Sequence, residues 1–432
     1  MQQNSEETGR ESKRSLVSLS AIYLVSNLIN SAIPFVLLPI LTRALSPAEY
    51  GAVGMFQTTI AAMAAFIGVS VQGAALRKYY DKAENEDLSA FIGSCMQVLL
   101  FSALLVLVVL TAFSEQLSFY TGLATDWLYL AVAVCVADFV VQLRLTQWQV
   151  RNKAISYGFT QLVRTVLNLT LSLLFVVSLT QGADGRILAI VLSSVAIGFF
   201  AFGSLKFDGL LTFWRFRKDY LEEALKFGVP LIPHVSGAFL VSAADRFFIN
   251  SHLGAESTGF YMVAVQLAMG LAIIFDSFNR AFAPWLYSNL SSGRTDLHGK
   301  IVRYTYLYYG FLLALIPLAF LIGPAILIFI AGEKYSAAGD VVGYLVAGQI
   351  FGGMYLMVTN YVFYSKRVGL LSLITISAGL INLLLLVLLL PVMGIKGAAL
   401  SFCISMFIQF IFTWLLAARR HSMPWFSAGR MI

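Results

Sequence analysis

The stretch VSAADRFFIN, residues 241–250, sets an acid and a base side by side, Asp245 and Arg246, within the apolar run 224–251. Successive side chains on a helix point about 100° apart, so neighbours at i and i+1 do not face each other. Each is therefore expected to need a partner on another segment, or water. Composition says what kind of run this is. Of 432 residues, 59% are hydrophobic and 12% charged, and the mean hydropathy is +0.81, whereas an ordinary soluble domain is about 25% charged. The chain is expected to be an all-α polytopic membrane protein, with Asp245 and Arg246 inside one of its spans.

A helix crosses the hydrocarbon core in about 20 apolar residues. Twelve such runs occur, at 16–41, 48–76, 88–113, 126–149, 154–180, 185–206, 224–251, 256–288, 301–331, 337–365, 367–390 and 394–418. Lys and Arg concentrate in cytosolic loops. With the N-terminus inside they divide 20 to 4, the four outer ones being Arg43, Arg186, Lys334 and Lys396. Twelve transmembrane helices with both termini in the cytosol follow. The formal net charge of +7 is accounted for by the inner loops and calls for no nucleic acid. Residues 1–15 are polar, and the apolar segment after them is too long for a signal peptide, so the tail is expected to stay attached. Cys95, Cys135 and Cys403 all fall in apolar spans and are expected as small core residues outside any disulfide framework.

The longest hydrophilic connection is FDGLLTFWRFRKDYLEE, 207–223. It separates an N-terminal six-helix bundle, 1–206, from a C-terminal one, 224–432, and is itself expected to be a cytosolic linker. Related turns follow odd-numbered spans: LSPAEYG at 45–51, GADG at 182–185, LGAESTG at 253–259 and MGIKG at 393–397, the first and third starting 208 residues apart. Spans 1 and 7, which open the two halves, each carry two prolines, Pro34 and Pro39, then Pro230 and Pro233. Proline in a helix interior kinks it, and paired kinked spans in two repeats point to the substrate path of a secondary transporter. Ordinary bends are the alternative.

Polar residues inside the spans fall into stripes. In span 5, Tyr157, Gln161, Arg164, Asn168 and Ser172 are spaced by 4, 3, 4 and 4, which lines them on one helical face. Arg164 lies about 15 Å from the inner end of its span. A charge at such depth costs at least about 2.5 kcal/mol and should face protein or a wet cavity. Span 4 carries Asp138, Gln142 and Gln149 on one face, with Arg144, Gln147 and Arg151 on another. Span 1 carries Ser20, Tyr23, Asn27, Asn30, Ser31 and Pro34, either as cavity lining or as interhelical glue. Asp276 and Arg280 in span 8 stand four apart, acid first, which suits an intrahelical pair. Asp245 and Arg246, near the outer end of span 7, are expected to tie that span to two neighbours as a gate latch, or to leave one group facing a cavity.

The membrane interior thus holds Arg144, Arg164, Arg246 and Arg280 against Asp138, Asp245 and Asp276, and Arg164 has no obvious local partner. An unpaired deep arginine suits an anionic ligand, and the planar guanidinium suits phosphate. The three aspartates are the candidates for ion coupling or gating. No GxxxxGK[ST] loop, HExxH, CxxC or Gly-x-Ser-x-Gly motif occurs. No enzyme activity, cofactor or metal is expected.

The six-plus-six arrangement, the LSPAEYG turn, ADRFFINSHLGAESTGFY (244–261) and FNRAFAPWLY (278–287) together resemble the polysaccharide or O-antigen flippase family of the multidrug/oligosaccharidyl-lipid/polysaccharide exporter superfamily. The resemblance implies two six-helix bundles around a central cavity that opens alternately to either side. It also implies a bacterial inner-membrane protein that moves undecaprenyl-diphosphate-linked oligosaccharide from the cytosolic to the periplasmic leaflet. Cavity arginines of such proteins serve the anionic headgroup, a role that Arg164 matches, followed by Arg144, Arg246 and Arg280. Tyr157, Gln161, Asn168, Gln142, Asn27 and Asn30 would line the path. Membrane lipid, a polysaccharide polymerase and glycosyltransferases are the partners implied, with the chain working as a monomer. Two other branches fit less well. Drug exporters of the superfamily place an acid in span 1, and residues 15–42 hold none. The lipid-precursor branch is expected to carry two further C-terminal spans and a span-1 arginine. A non-transporting membrane partner of polysaccharide assembly is the remaining alternative, and it leaves Arg164 without a purpose.

Overall fold

In a bilayer every backbone N–H and C=O must be satisfied by the chain itself, which leaves helices and closed barrels as the spanning elements. A computed structural model describes residues 30–81, 87–292, 297–365, 367 and 369–425, without the side chain of His234. Among them no strand occurs. The helices are α1 (Asn30–Ala44), α2 (Pro47–Ala64), α3 (Gln72–Tyr80), α4 (Leu88–Ala112), α5 (Ser114–Thr121), α6 (Thr125–Val150), α7 (Ala154–Ser172), α8 (Gly182–Phe207), α9 (Lys218–Gly228), α10 (Ile232–Ser242), α11 (Asp245–Ser291), α12 (His298–Ala331), α13 (Gly339–Tyr364), α14 (Gly369–Met393) and α15 (Ile395–Arg420).

Among the described residues, nine helical stretches are long and apolar enough to cross a membrane. One of them, Lys218–Ser291, runs for 74 residues, about 110 Å at helical rise, far more than one crossing of roughly 30 Å needs. It breaks inside LGAESTG at Gly254, whose φ of 81° and ψ of 176° are not helical. The protein is a multi-pass, all-α membrane protein. Asn27, Tyr23 and the tail 1–15 lie outside the described residues.

The chain forms two compact units, Met1–Leu37 with Phe56–Val235, and Leu38–Met55 with Ser236–Ile432. In the first unit the structure departs from the single span expected over 48–76. α2 stops at Ala64 and α3 starts at Gln72, and between them Gly68, Val69 and Ser70 all have φ values of 48–75°. The left-handed region costs a side-chain-bearing residue roughly 1–2 kcal/mol, so the surroundings must hold the break. Gly68 N–H donates to Ser102 Oγ of α4 at 2.8 Å. Gly228 of α9 lets the chain close on the Val69 carbonyl, which a Cβ at that position would meet at 2.2 Å. Hydropathy alone hides this break, because AFIGVSV, 65–71, carries no charge and a single polar residue, Ser70.

The prolines behave differently from the expectation of two matched kinks. α1 runs unbroken through Pro34 and Pro39. Pro230 lies in a 3-10 turn, Val229–Leu231, that joins α9 to α10, and Pro233 lies in the first turn of α10, where a missing N–H costs little.

In the second unit the two related turns seat on each other. A Cβ on Gly51 would come within 1.9 Å of the Ala255 carbonyl oxygen, and one on Gly259 within 1.8 Å of the Pro47 carbonyl oxygen. Gly51 and Gly259 stand 208 positions apart, as do Pro47 and Ala255, so the contact is a pseudo-two-fold one between repeats. Tyr50 adds a 2.6 Å hydrogen bond to Gln266 Oε1. The turns reach the same shape by different chemistry. The second uses Gly254, whereas the first uses a capping box in which Ser46 N–H and Oγ donate to Glu49 Oε2 at 2.7 and 2.8 Å.

Candidate functional site

The predicted stripe on α7 is the face that α7 turns to its neighbours in the first unit. Arg164 Nη2 donates to Asp138 Oδ1 of α6 at 2.6 Å. One residue on, Thr165 Oγ1 donates to Asn30 Oδ1 of α1 at 2.8 Å. A turn further, Asn168 Nδ2 donates to Ser193 Oγ of α8 at 2.9 Å. Arg186 Nη1, also on α8, donates to Asn168 Oδ1 at 2.9 Å and to Ser172 Oγ at 2.6 Å. Beyond Ser172, α7 widens into a π-helical turn, Leu173–Ser178, a local form frequent at functional sites. Gln161 is buried on this face, Tyr157 is half-buried, and Gln142 on α6 is exposed.

Arg164 is therefore not without a local partner, as its sequence context had suggested. Its carboxylate is 26 positions away on the preceding span, a pairing that helical periodicity within one span cannot reveal. The pair is open all the same, with the Arg164 side chain 24% and the Asp138 side chain 30% exposed. Among the described residues, Asp138 is the one protein acceptor for a guanidinium that offers five N–H donors. Arg186 is the residue that sequence reasoning missed. Counted with the outer loops, it is in fact buried, and the only hint was that Asn168 and Ser172 face outward along a stripe that lacked a donor at its far end.

The other arginines have acidic partners of their own. Arg144 Nη2 donates to Asp208 Oδ2 in the linker, and its guanidinium stacks 4.3 Å over the Trp148 ring. That hydrogen bond first, and then the charges of Arg144, Lys153 and Arg151, hold the Asp208 carboxyl below its ordinary value, against burial that pushes it up. Arg280 Nε lies 2.8 Å from Asp276 Oδ2, four residues earlier, with both side chains exposed, which is the intrahelical pair expected from the spacing.

Asp245 and Arg246 do meet. The chain turns at Ala243 and Ala244, and the long arginine folds back so that Nη1 lies 2.9 Å from Asp245 Oδ1 and also donates to the Ser242 carbonyl. Asp245 Oδ2 accepts from the Tyr261 hydroxyl. Both residues stand at the start of α11, where side chains of neighbours leave the helix in different directions, and the contact rests on the length of the arginine, which spans that divergence. Asp245, Arg246 and Tyr261 are all buried, so span 7 is tied to the start of span 8 rather than to two neighbours. Cys95, Cys135 and Cys403 are free.

The chain matches the family model described as polysaccharide biosynthesis protein over residues 17–290. It belongs to that family. A protein of the Lsg locus of Haemophilus influenzae is 25% identical over 362 residues, covering 82% of this chain and 86% of that protein. A membrane protein of the same organism, of uncharacterized function, is 28% identical over 386 residues, covering 85% and 89%. Among solved structures, lipid II flippase MurJ in an inward closed conformation superposes with a TM-score of 0.74 at 13% identity, over 93% of this chain and 87% of that one. An inward-facing multidrug resistance MATE family transporter of the MOP superfamily gives 0.67 at 18%, over 94% and 98%. At such identities the likeness is one of fold, and the fold of this polysaccharide biosynthesis family member is the one these two proteins share.

Proposed function

We propose that the protein is a flippase that carries undecaprenyl-diphosphate-linked oligosaccharide from the cytosolic to the periplasmic leaflet of the bacterial inner membrane by alternating access. The observation that carries this reading is the half-open Arg164–Asp138 pair, on a membrane span that is also bonded to Asn30 through Thr165 and to Arg186 through Asn168 and Ser172. The diphosphate exchanges for Asp138 as the partner of Arg164, because it offers a guanidinium bidentate phosphate oxygens and carries two negative charges in all against the one of a carboxylate. Asp138, released, takes up a cation or proton, and the original pair re-forms when the headgroup leaves. The membrane potential favours outward movement of an anion by about 2.3 kcal/mol per charge per 100 mV.

The test is complementation in cells that lack their own glycan flippase, reading labelled oligosaccharide in the outer leaflet. Restored transfer that is lost with Arg164→Ala supports the reading. Full transfer by Arg164→Ala removes the headgroup role. Absence of transfer with every glycan tried, together with export of a cationic dye, assigns the protein to drug export.

A further inference from the structure

The linker 207–223 is not a free cytosolic loop. Thr212 N–H donates to the Ser89 carbonyl at 3.1 Å, the Ser89 and Thr212 hydroxyls lie 2.7 Å apart, and Gln97 Nε2 donates to the Phe213 carbonyl at 2.9 Å. A Cβ on Gly93 would meet the Thr212 carbonyl oxygen at 2.2 Å, so the loop lies directly on α4. Ser89, Gly93 and Gln97 form one stripe along α4 at four-residue spacing. Gln97 is nine residues from the first residue of α4, about 13 Å along a helix. The loop tip is carried that far towards the bilayer. A side chain that satisfies its carbonyl there is what irregular backbone needs where water is scarce.

The side chains at this pinned tip point away from the protein. Trp214 is 91% and Phe216 69% exposed, and Phe207, at the end of α8 where the segment begins, is 90% exposed. Cations alternate with them. Arg215 reaches Asp87 at 3.3 Å with 57% of its side chain exposed, and Lys218 reaches Glu222 at 3.8 Å with 80% exposed. Loose surface pairs of this kind contribute little and yield to a better acceptor. The one acid at the start of the loop, Asp208, is already taken by Arg144.

We propose that residues 207–218 form a membrane-interface anchor that binds anionic phospholipid of the inner leaflet. Trp214, Phe216 and Phe207 lie at the boundary of headgroups and acyl chains, where amphipathic aromatics concentrate. Arg215, Arg217 and Lys218 meet the lipid phosphates, as juxtamembrane basic residues do. The anchor is independent of the cargo that the protein moves.

The experiment uses the full chain in vesicles and takes the emission lost on Trp214→Phe as the signal of Trp214. Acyl-brominated phosphatidylglycerol is expected to quench that signal more strongly than acyl-brominated phosphatidylcholine, and aqueous iodide to leave it unquenched. The preference for phosphatidylglycerol is expected to vanish in Arg215→Gln/Arg217→Gln/Lys218→Gln. Equal quenching by the two lipids would overturn the anionic recognition. Quenching by iodide would place the loop in water and overturn the anchor. Shielding from all three probes only when two copies are cross-linked would assign the face to a second copy, which also overturns it.

Discussion

Two of the arginine–aspartate pairs within membrane spans, Asp245–Arg246 and Asp138–Arg164, lie one in each unit and differ in their surroundings; a third, Asp276–Arg280, is an exposed intrahelical pair. Asp245 and Arg246 are 3% and 8% exposed, and both carboxylate oxygens of Asp245 are occupied, one by the neighbouring arginine and one by Tyr261. Arg164 and Asp138 are 24% and 30% exposed and share one hydrogen bond. The first pair is closed chemistry, already satisfied by its own chain. The second keeps donors free for something that arrives. Depth in the membrane says that a charge needs a reason, and accessibility separates the structural reason from the functional one.

The widest separation between the pairs is expected in transport. Arg164→Ala is predicted to reduce translocation of lipid-linked oligosaccharide by about a hundredfold, the scale of losing one charged contact to a ligand, while the protein still accumulates in the membrane. Arg246→Ala is predicted to act on stability instead. Leaving Asp245 buried without its counter-charge costs about 3–5 kcal/mol, visible as a lower melting temperature in detergent, with transport per folded molecule retained.

Smaller effects sharpen the contrast. Gly51→Ala and Gly259→Ala each force a methyl into a carbonyl oxygen across the repeat contact, and each is predicted to cost about 1–3 kcal/mol. Their near-equality in thermal melts checks the pseudo-two-fold relation, and a large inequality breaks it. The smallest effect concerns a fourth pair, Arg144–Asp208, at the membrane edge. Asp208 is held below its ordinary value of 3.8, so its contribution is present above that value and is lost as pH falls through the lowered one. Acid melts of wild type and Asp208→Asn are expected to converge there, over a difference of about 1 kcal/mol.

Much of this was legible in the chain itself. The turns LSPAEYG and LGAESTG were visible as repeats, and their seating on one another follows from glycines at matching positions. The stripe on α7 was visible because helical periodicity survives in a membrane. Its partners were not. Whether α7 turns Arg164 towards Asp138, or Ser172 towards Arg186, depends on helix rotation and packing, which one sequence does not encode locally. The break at Gly68–Ser70 was hidden because its residues are as apolar as a helix would be, and the three left-handed residues are held by Ser102 and Gly228, remote in sequence. The Asp245–Arg246 contact was hidden because it depends on a long arginine folding back over the turn at Ala243 and Ala244, which the directions of neighbouring side chains on a helix do not reveal.

The most direct test exchanges the open pair. Arg164→Asp combined with Asp138→Arg keeps an ion pair between α6 and α7 but moves the cation off the α7 stripe. In flippase-deficient cells, at matched levels of folded protein, the double variant is predicted to fold as well as wild type and to move no lipid-linked oligosaccharide. Restoration of transport by the exchange would contradict the account, because it would make Arg164 and Asp138 a structural bond like Asp245 and Arg246.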